Sequence, residues 1–261
     1  MDKISTILIP FNFTEASKKA LKYALTFVGR FDDIKIILAY VSGNSNLELE
    51  PGNFEKLEKE YSGVLKNKLE WIIQEGILSS TLLEISNKNK IDLIIMGTSG
   101  ADKKGNKLHK NTINIVSKST CPVMVIPYNY SEYKLANIAL VIGREEIDNT
   151  KKLGTLLMIA RKCNAKVHVL TIENEPGVYG YSKEEEKNEN AIEYYLETFY
   201  EERVFIKNDD VLEGINAYVL KNEIDLVTIL SKSQNMKHNA TEKQLTEMLI
   251  LNSKAPILVL E

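Results

Sequence analysis

Hydrophobic and polar positions follow two different periods along this chain, and the period switches repeatedly. Short continuous apolar runs, "TILIPF", "IKIILAYV", "KLEWII", "IDLIIMG" and "PVMVIP", punctuate the first half. Between them, apolar residues return every three or four positions. "TEASKKALKYALTFVGRF" sets Ala20, Leu21, Ala24 and Val28 on one helical face, with Thr14 placed as the N-cap. Further helices are predicted around Phe54 to Val64, with Leu57 and Tyr61 inward, over Leu78 to Asn87, with Leu82, Leu83 and Ile85 inward, and through Val116. Strands this uniformly apolar are buried on both faces, which predicts a parallel sheet covered by helices on each side. Right-handed crossovers make such a sheet doubly wound, and its ligands bind beyond the carboxyl ends of the strands, where the strand order reverses.

The same pattern is written twice. "KNKIDLI" from Lys88 returns as "KNEIDLV" from Lys221, 133 positions later. That offset also lays "ILIPF" on "LVIGR", "IKIILAYV" on the run from Val167, and "EWIIQEG" on "RVFIKND". Near the end "CPVMVIP" matches "APILVLE" at an offset of 134. Most apolar positions fall on apolar positions, so the reading is a tandem duplication. The boundary falls in the polar, tyrosine-bearing "PYNYSEYKLAN", which gives domains at 1–130 and 131–261.

Composition narrows the function classes. The 261 residues suffice for two domains with buried cores, and 44% apolar with 26% charged residues is a globular balance. A net charge of -3 argues against a dedicated nucleic-acid binder. The apolar runs are strand-sized, and "MDKISTILIP" lacks an export signal, so neither a membrane span nor secretion is expected. Cys121 and Cys163 are too few for a disulfide framework, and the cytoplasm is the expected compartment.

"ILIPFNFTEASKKALKYA", "DLIIMGTSG" and "CPVMVIP" together resemble the universal stress protein family, once per half and over the whole chain. The resemblance implies an α/β fold of two tandem Rossmann-like sheets, each of five parallel strands in the order 3-2-1-4-5. It also implies that the halves pair through their last strands, Val123 to Ile126 beside Ile257 to Leu260, as an internal pseudo-dimer. That pairing would cover two apolar edges, and leaves a homodimer of the whole chain as a further option.

The ATP-binding branch of the family carries Gly-x2-Gly-x9-Gly-Ser/Thr after the fourth strand. Glycines let the backbone approach phosphate, and successive N–H groups at a helix start supply positive potential. In "GTSGADKKGNKLHKNT", Gly97 and Gly100 match the first two positions, but the closing pair falls on His109 and Lys110. Only eight residues intervene, Ala101 to Leu108. The family's adenine-facing aspartate is Asn12 here, which keeps an acceptor and loses the charge. A retained site would comprise Asn12, Val41, Gly97, Gly100, Lys110, Asn111 and Thr112. His109 favours a blocked cradle. Lys103, Lys104, Lys107 and Lys110 favour anion attraction, although exposed lysines are also ordinary solvation. In the second half, Gly97 maps to Leu230, Gly100 to Ser233 and Asn12 to Glu145, whose carboxylate would repel a triphosphate. That copy is expected to be degenerate and closed to ATP.

Other residues have plainer readings. His109, His168 and His238 share no metal-ligand spacing with each other or with the cysteines, so no metal site is expected. Cys121 reads as a small buried residue at a strand start, and Asp209-Asp210 as dipole-complementing carboxylates before a helix. "KEEEKNENAIEYYLETFYEE" reads as a charged helix packing through Ile192, Tyr195, Leu196 and Phe199. Its Tyr194 and Tyr200, with Tyr179 and Tyr181, form an alternative partner surface. No nucleophile elbow, Walker loop or dinucleotide fingerprint is present. The expectation is a non-enzymatic stress-response protein that binds a protein partner or small ligand, without ATP turnover and without a cofactor. The rivals are an ATP switch or weak ATPase using the first domain alone, and a carrier of another small ligand at the same strand ends.

Overall fold

The computed structural model describes the chain apart from residues 1–2, 44–51, 99–106, 143–149, 174–182 and 231–239. The side chains of 107–109, 150–151, 173, 183–189 and 240–243 also lie outside the description. The described chain forms two compact units, Lys3–Tyr133 and Lys134–Glu261.

The first unit runs β1 (Thr6–Pro10), α1 (Glu15–Val28), β2 (Lys35–Ser42), α2 (Asn53–Glu60), β3 (Glu70–Glu75), α3 (Leu78–Lys88), β4 (Leu93–Gly97), α4 (Lys107–Lys118) and β5 (Val123–Ile126). Its strands are parallel, in the order β3-β2-β1-β4-β5. Ile7, Leu8 and Ile9 of the central strand are wholly buried, as a strand covered on both faces requires. Thr14 caps α1, its Oγ1 accepting from the Ser17 N–H, and Gly29, at φ 70°, ends the helix. Ala20, Leu21, Ala24 and Val28 are buried as the periodicity predicts, and α1 packs over β1, β4 and β5. Helix α2 is shorter than predicted. It stops at Glu60, and Gly63, at φ 82°, turns the chain where the apolar spacing predicts helix as far as Val64. Phe54 anchors it, stacked on Trp71 of β3 at 5.6 Å and in contact with Phe11 and Phe13.

The second unit repeats the plan with β6 (Asn137–Val141), a 3₁₀ turn (Thr150–Leu153), α5 (Gly154–Cys163), β7 (Lys166–Glu173), α6 (Lys183–Leu196), β8 (Tyr200–Lys207), α7 (Val211–Lys221), β9 (Leu226–Leu230), α8 (Ala240–Asn252) and β10 (Ile257–Leu260). The strand order is β10-β9-β6-β7-β8, again parallel. The predicted charged helix ends six residues early, at Leu196. Tyr200, Glu201 and Glu202 belong to β8. Their charges are used along the strand, Glu201 pairing with Lys166 at 3.2 Å and Glu202 lying 3.2 Å from His168.

The most closely repeated segment, "KNKIDL" and "KNEIDL", is a structural joint. The Asn89 and Asn222 amides donate to the carbonyls of Ile85 and Tyr218, closing the helix ends. Lys90 and Glu223 then take left-handed φ of 49° each. Ile91 and Ile224 donate back to Ser86 and Val219 and bury their side chains. Asp92 Oδ2 accepts from the Ser5 and Thr6 N–H groups at 2.7 and 2.9 Å, and Asp225 Oδ2 from Ala136 and Asn137 at 2.6 and 2.9 Å. Each aspartate thereby ties the start of the fourth strand to the start of the first.

Strand pairing corrects the repeat register. Thr6 pairs with Lys35 and Asn137 with Lys166, while Ile7 pairs with Leu93 and Ile138 with Leu226. The first two strands are therefore offset by 131 positions, not 133, and "ILIPFN" superposes on "IALVIG". Replacing Asp92 or Asp225 by Ala leaves two strand N–H donors without their charged acceptor. Each change is expected to lower the unfolding free energy by about 2–3 kcal/mol, seen as a lower urea midpoint. Asp92→Asn, which keeps one acceptor oxygen, should lose less.

Candidate functional site

The strands β2, β1 and β4 are neighbours, and their carboxyl ends carry three of the predicted site residues. Val41 lies near the end of β2, Gly97 ends β4, and Asn12 follows β1 by two residues. The pairing of Pro10 with Ala39 sets Asn12 level with Val41. Asn12 is exposed and Val41 half-buried. The Asn12 carbonyl oxygen accepts from the Thr14 hydroxyl at 2.6 Å and from the Thr14 N–H at 3.4 Å. Ser17 completes the turn, its hydroxyl donating to the Thr14 carbonyl at 2.9 Å. Phe13, between them, adopts φ 61°, uncommon for a bulky residue, and its ring packs 5.0 Å from Phe11 and 4.9 Å from Phe54. In the sequence Thr14 reads only as a helix cap. Its grip on Asn12 is visible there only as the spacing Asn-x-Thr before a helix.

Gly97 has a packing reason for its missing side chain. A Cβ there would stand 2.7 Å from the Ala16 carbonyl carbon and closer still to its oxygen. The first turn of α1 rests directly on the end of β4, so this glycine is needed whether or not an anion is held nearby. Thr98 follows, buried, its N–H donating to the Ile126 carbonyl at 2.9 Å.

Gly100, Lys103 and Lys104 lie outside the described residues, as does the His109 side chain. Helix α4 starts at Lys107, so the closing positions of the loop, His109 and Lys110, are inside its first turn. The Asn111 and Thr112 N–H groups are then within reach of the carbonyls of Lys107 and Leu108. Lys110 is exposed, Asn111 half-buried and Thr112 buried, so Thr112 turns its hydroxyl into the fold. Asn12, Val41 and Gly97 thus lie at one end of the sheet, and Asn111 and Thr112 lie near the start of α4.

In the second unit Leu230 ends β9 at the place of Gly97. Ser233 and Glu145 lie outside the described residues. Ile142 donates to Leu170 as Phe11 does to Ala39, which keeps the offset of 131 as far as the last described residue of this strand end.

The remaining candidates resolve into structure. His168 Nδ1 lies 3.1 Å from the Tyr218 hydroxyl, which donates to Glu202 at 3.0 Å. Burial, with Glu202 beside it, pushes the Tyr218 phenol well above its ordinary range. Cys121 is buried against the hydroxyls of Ser86 and Ser119, and Asp210 caps α7 through the Glu213 N–H. Ile192 and Leu196 are buried in the predicted packing face of α6, whereas Tyr194 is exposed. Tyr179 and Tyr181 lie outside the described residues. Among the described residues no cluster of three or more His, Cys, Asp or Glu could hold a metal ion, and no helix is long and apolar enough to cross a membrane.

Gly97→Ala forces a Cβ into the backbone of α1 and is expected to cost about 2–3 kcal/mol of stability, measured by thermal unfolding. Gly43→Ala, whose added Cβ meets nothing within 4 Å, should shift stability by less than about 0.5 kcal/mol.

The sequence model of the universal stress protein family matches residues 3–127. No curated protein matches the chain by sequence. Among solved structures, a universal stress protein from Archaeoglobus fulgidus DSM 4304 is similar over 98% of this chain and 96% of its own, with a TM-score of 0.70 at 13% identity. A functionally unknown protein from Pseudomonas aeruginosa PAO1 is similar over 98% of this chain and 92% of its own, with a TM-score of 0.66 at 12% identity. At these identities the two likenesses concern the fold. The first unit is thus a universal stress protein domain, and the second repeats its strand order and its joint.

Proposed function

We propose that this protein acts in the stress response by binding and regulation, without turning over ATP, and that its ligand-responsive element is the strand-end crevice of the first unit. The observation that carries this reading is the start of α4. A phosphate cradle needs N–H groups and small residues free at the helix entrance. Here the closing positions carry the long side chains of His109 and Lys110 where a cradle asks for small residues, and Thr112 is buried. Among the described residues the strand ends carry a neutral amide, a half-buried valine and a glycine packed against α1. Such a surface suits recognition of a small molecule better than the positioning of a triphosphate for attack.

A second reading, an ATP switch or weak ATPase confined to the first unit, draws support from Gly97 at the strand end and from the exposed Lys110. Calorimetric titration with Mg-ATP, beside an assay of phosphate release, separates the two. The expected result is no heat up to millimolar ATP and no phosphate release above buffer. Binding at a stoichiometry near one would replace the first reading by the second.

A further inference from the structure

Strand β3 is the outer strand of the first unit, and among the described strands it pairs with β2 alone. The Gly76 N–H, just past its end, donates to the Ser42 carbonyl at 3.0 Å. Backbone groups alternate sides along a strand, so Glu70, Ile72 and Gln74 also turn theirs toward β2. Those of Trp71, Ile73 and Glu75 point away from the sheet. Between the flanking glutamates the side chains of Trp71, Ile72, Ile73 and Gln74 are uncharged, and Ile73 is 55% exposed. The outer strand of the second unit differs. There β8 carries exposed Glu201, Glu202 and Lys207, charges of the kind that discourage strand addition.

We infer that β3 is the pairing edge for a second copy of this chain, joined antiparallel about a two-fold axis at Ile72. Outward backbone groups meet each other only where odd-numbered residues face odd-numbered residues, which sets the axis on a residue and not between two. An axis at Trp71 would set Glu70 against Ile72, and one at Ile73 would set Glu75 against Trp71. With the axis at Ile72, Trp71 faces Ile73 of the second copy, Ile72 faces its own mate, and Glu70 faces neutral Gln74. Each Trp71–Ile73 pair exchanges both of its backbone hydrogen bonds, and the pairing covers an isoleucine that a lone unit leaves in water. The edge is thus complementary to itself, in donors and acceptors and in side chains.

Sedimentation of the full chain from micromolar to sub-millimolar concentration should show a monomer–dimer equilibrium, with the emission of Trp71, the sole tryptophan, moving to the blue as dimer forms. Ile73→Lys alters an exposed side chain, so the urea midpoint should hold while the dimer dissociation constant rises by at least about tenfold. Ile72→Cys puts a thiol on the axis, where facing Cα atoms lie about 4.5 Å apart, within disulfide reach. Mild oxidation should join two copies through that position. Ile73→Cys should not crosslink, because its own mate lies two residues farther along the strand. A monomer throughout the range overturns the inference. So does a dimer that Ile73→Lys leaves unchanged, since its interface lies elsewhere. Crosslinking through Ile73→Cys as readily as through Ile72→Cys overturns the register.

Discussion

A parallel sheet must return the chain to its amino edge after every strand, and in both units the return into the centre is held by one carboxylate. Asp92 reaches across from the start of β4 to two N–H groups at the start of β1, and Asp225 does the same between β9 and β6. These donors stand at the beginning of a strand, where ladder partners run out, so a charged acceptor meets an otherwise costly need. The bond also fixes register. Once Asp92 is docked, Ile7 must lie beside Leu93, and four residues on, Phe11 comes out level with Gly97 at the end of β4. The crevice at the top of the sheet therefore takes its shape from a contact at the bottom.

The parts of the fold legible in the sequence were those with one physical solution. Apolar runs between amphipathic stretches located the strands and helices, and the repeated "KN-IDL" segments marked a joint where the Asn and Asp side chains are hydrogen-bonded and the Ile and Leu side chains buried. The register of the first two strands was not legible. A two-residue slip of a strand buried on both faces keeps every side chain on its own face. Only the last position separates the alignments, since "LVIGR" sets Arg144 on Phe11 and "IALVI" sets Ile142 there, and the hydrogen bonds to β7 and β9 decide for the second. The boundary between α6 and β8 failed for a related reason. Glu201 and Glu202 look helical by charge pattern, yet they are held in the strand by Lys166 and by His168 with Tyr218.

At the candidate site, the glycine after the fourth strand invited a functional reading because a nucleotide cradle and a close helix contact ask for the same residue type. The structure separates the two demands at Gly97, whose missing Cβ is required by the Ala16 carbonyl. Asn12 carries the opposite lesson. Its identity is plain in the sequence, but its chemistry depends on which end of the amide faces out, and that is decided by Thr14 two residues away.

Loss of the strand-end glycine has a visible structural counterpart in the second unit. The crossover from β1 to β2 and that from β6 to β7 have equal length, each spanning 29 positions between strand starts. In the first unit α1 begins at Glu15, five residues after β1, and its first turn lies on Gly97. In the second unit Leu230 holds a side chain at that place, and α5 ends at Cys163, 26 positions after β6 begins, where α1 ends 22 positions after β1 begins. The end of the crossover helix has moved by four residues, about one turn. In the first unit the approach of the helix start to the strand ends is set by Gly97 on one side and by the Thr14 cap on the other.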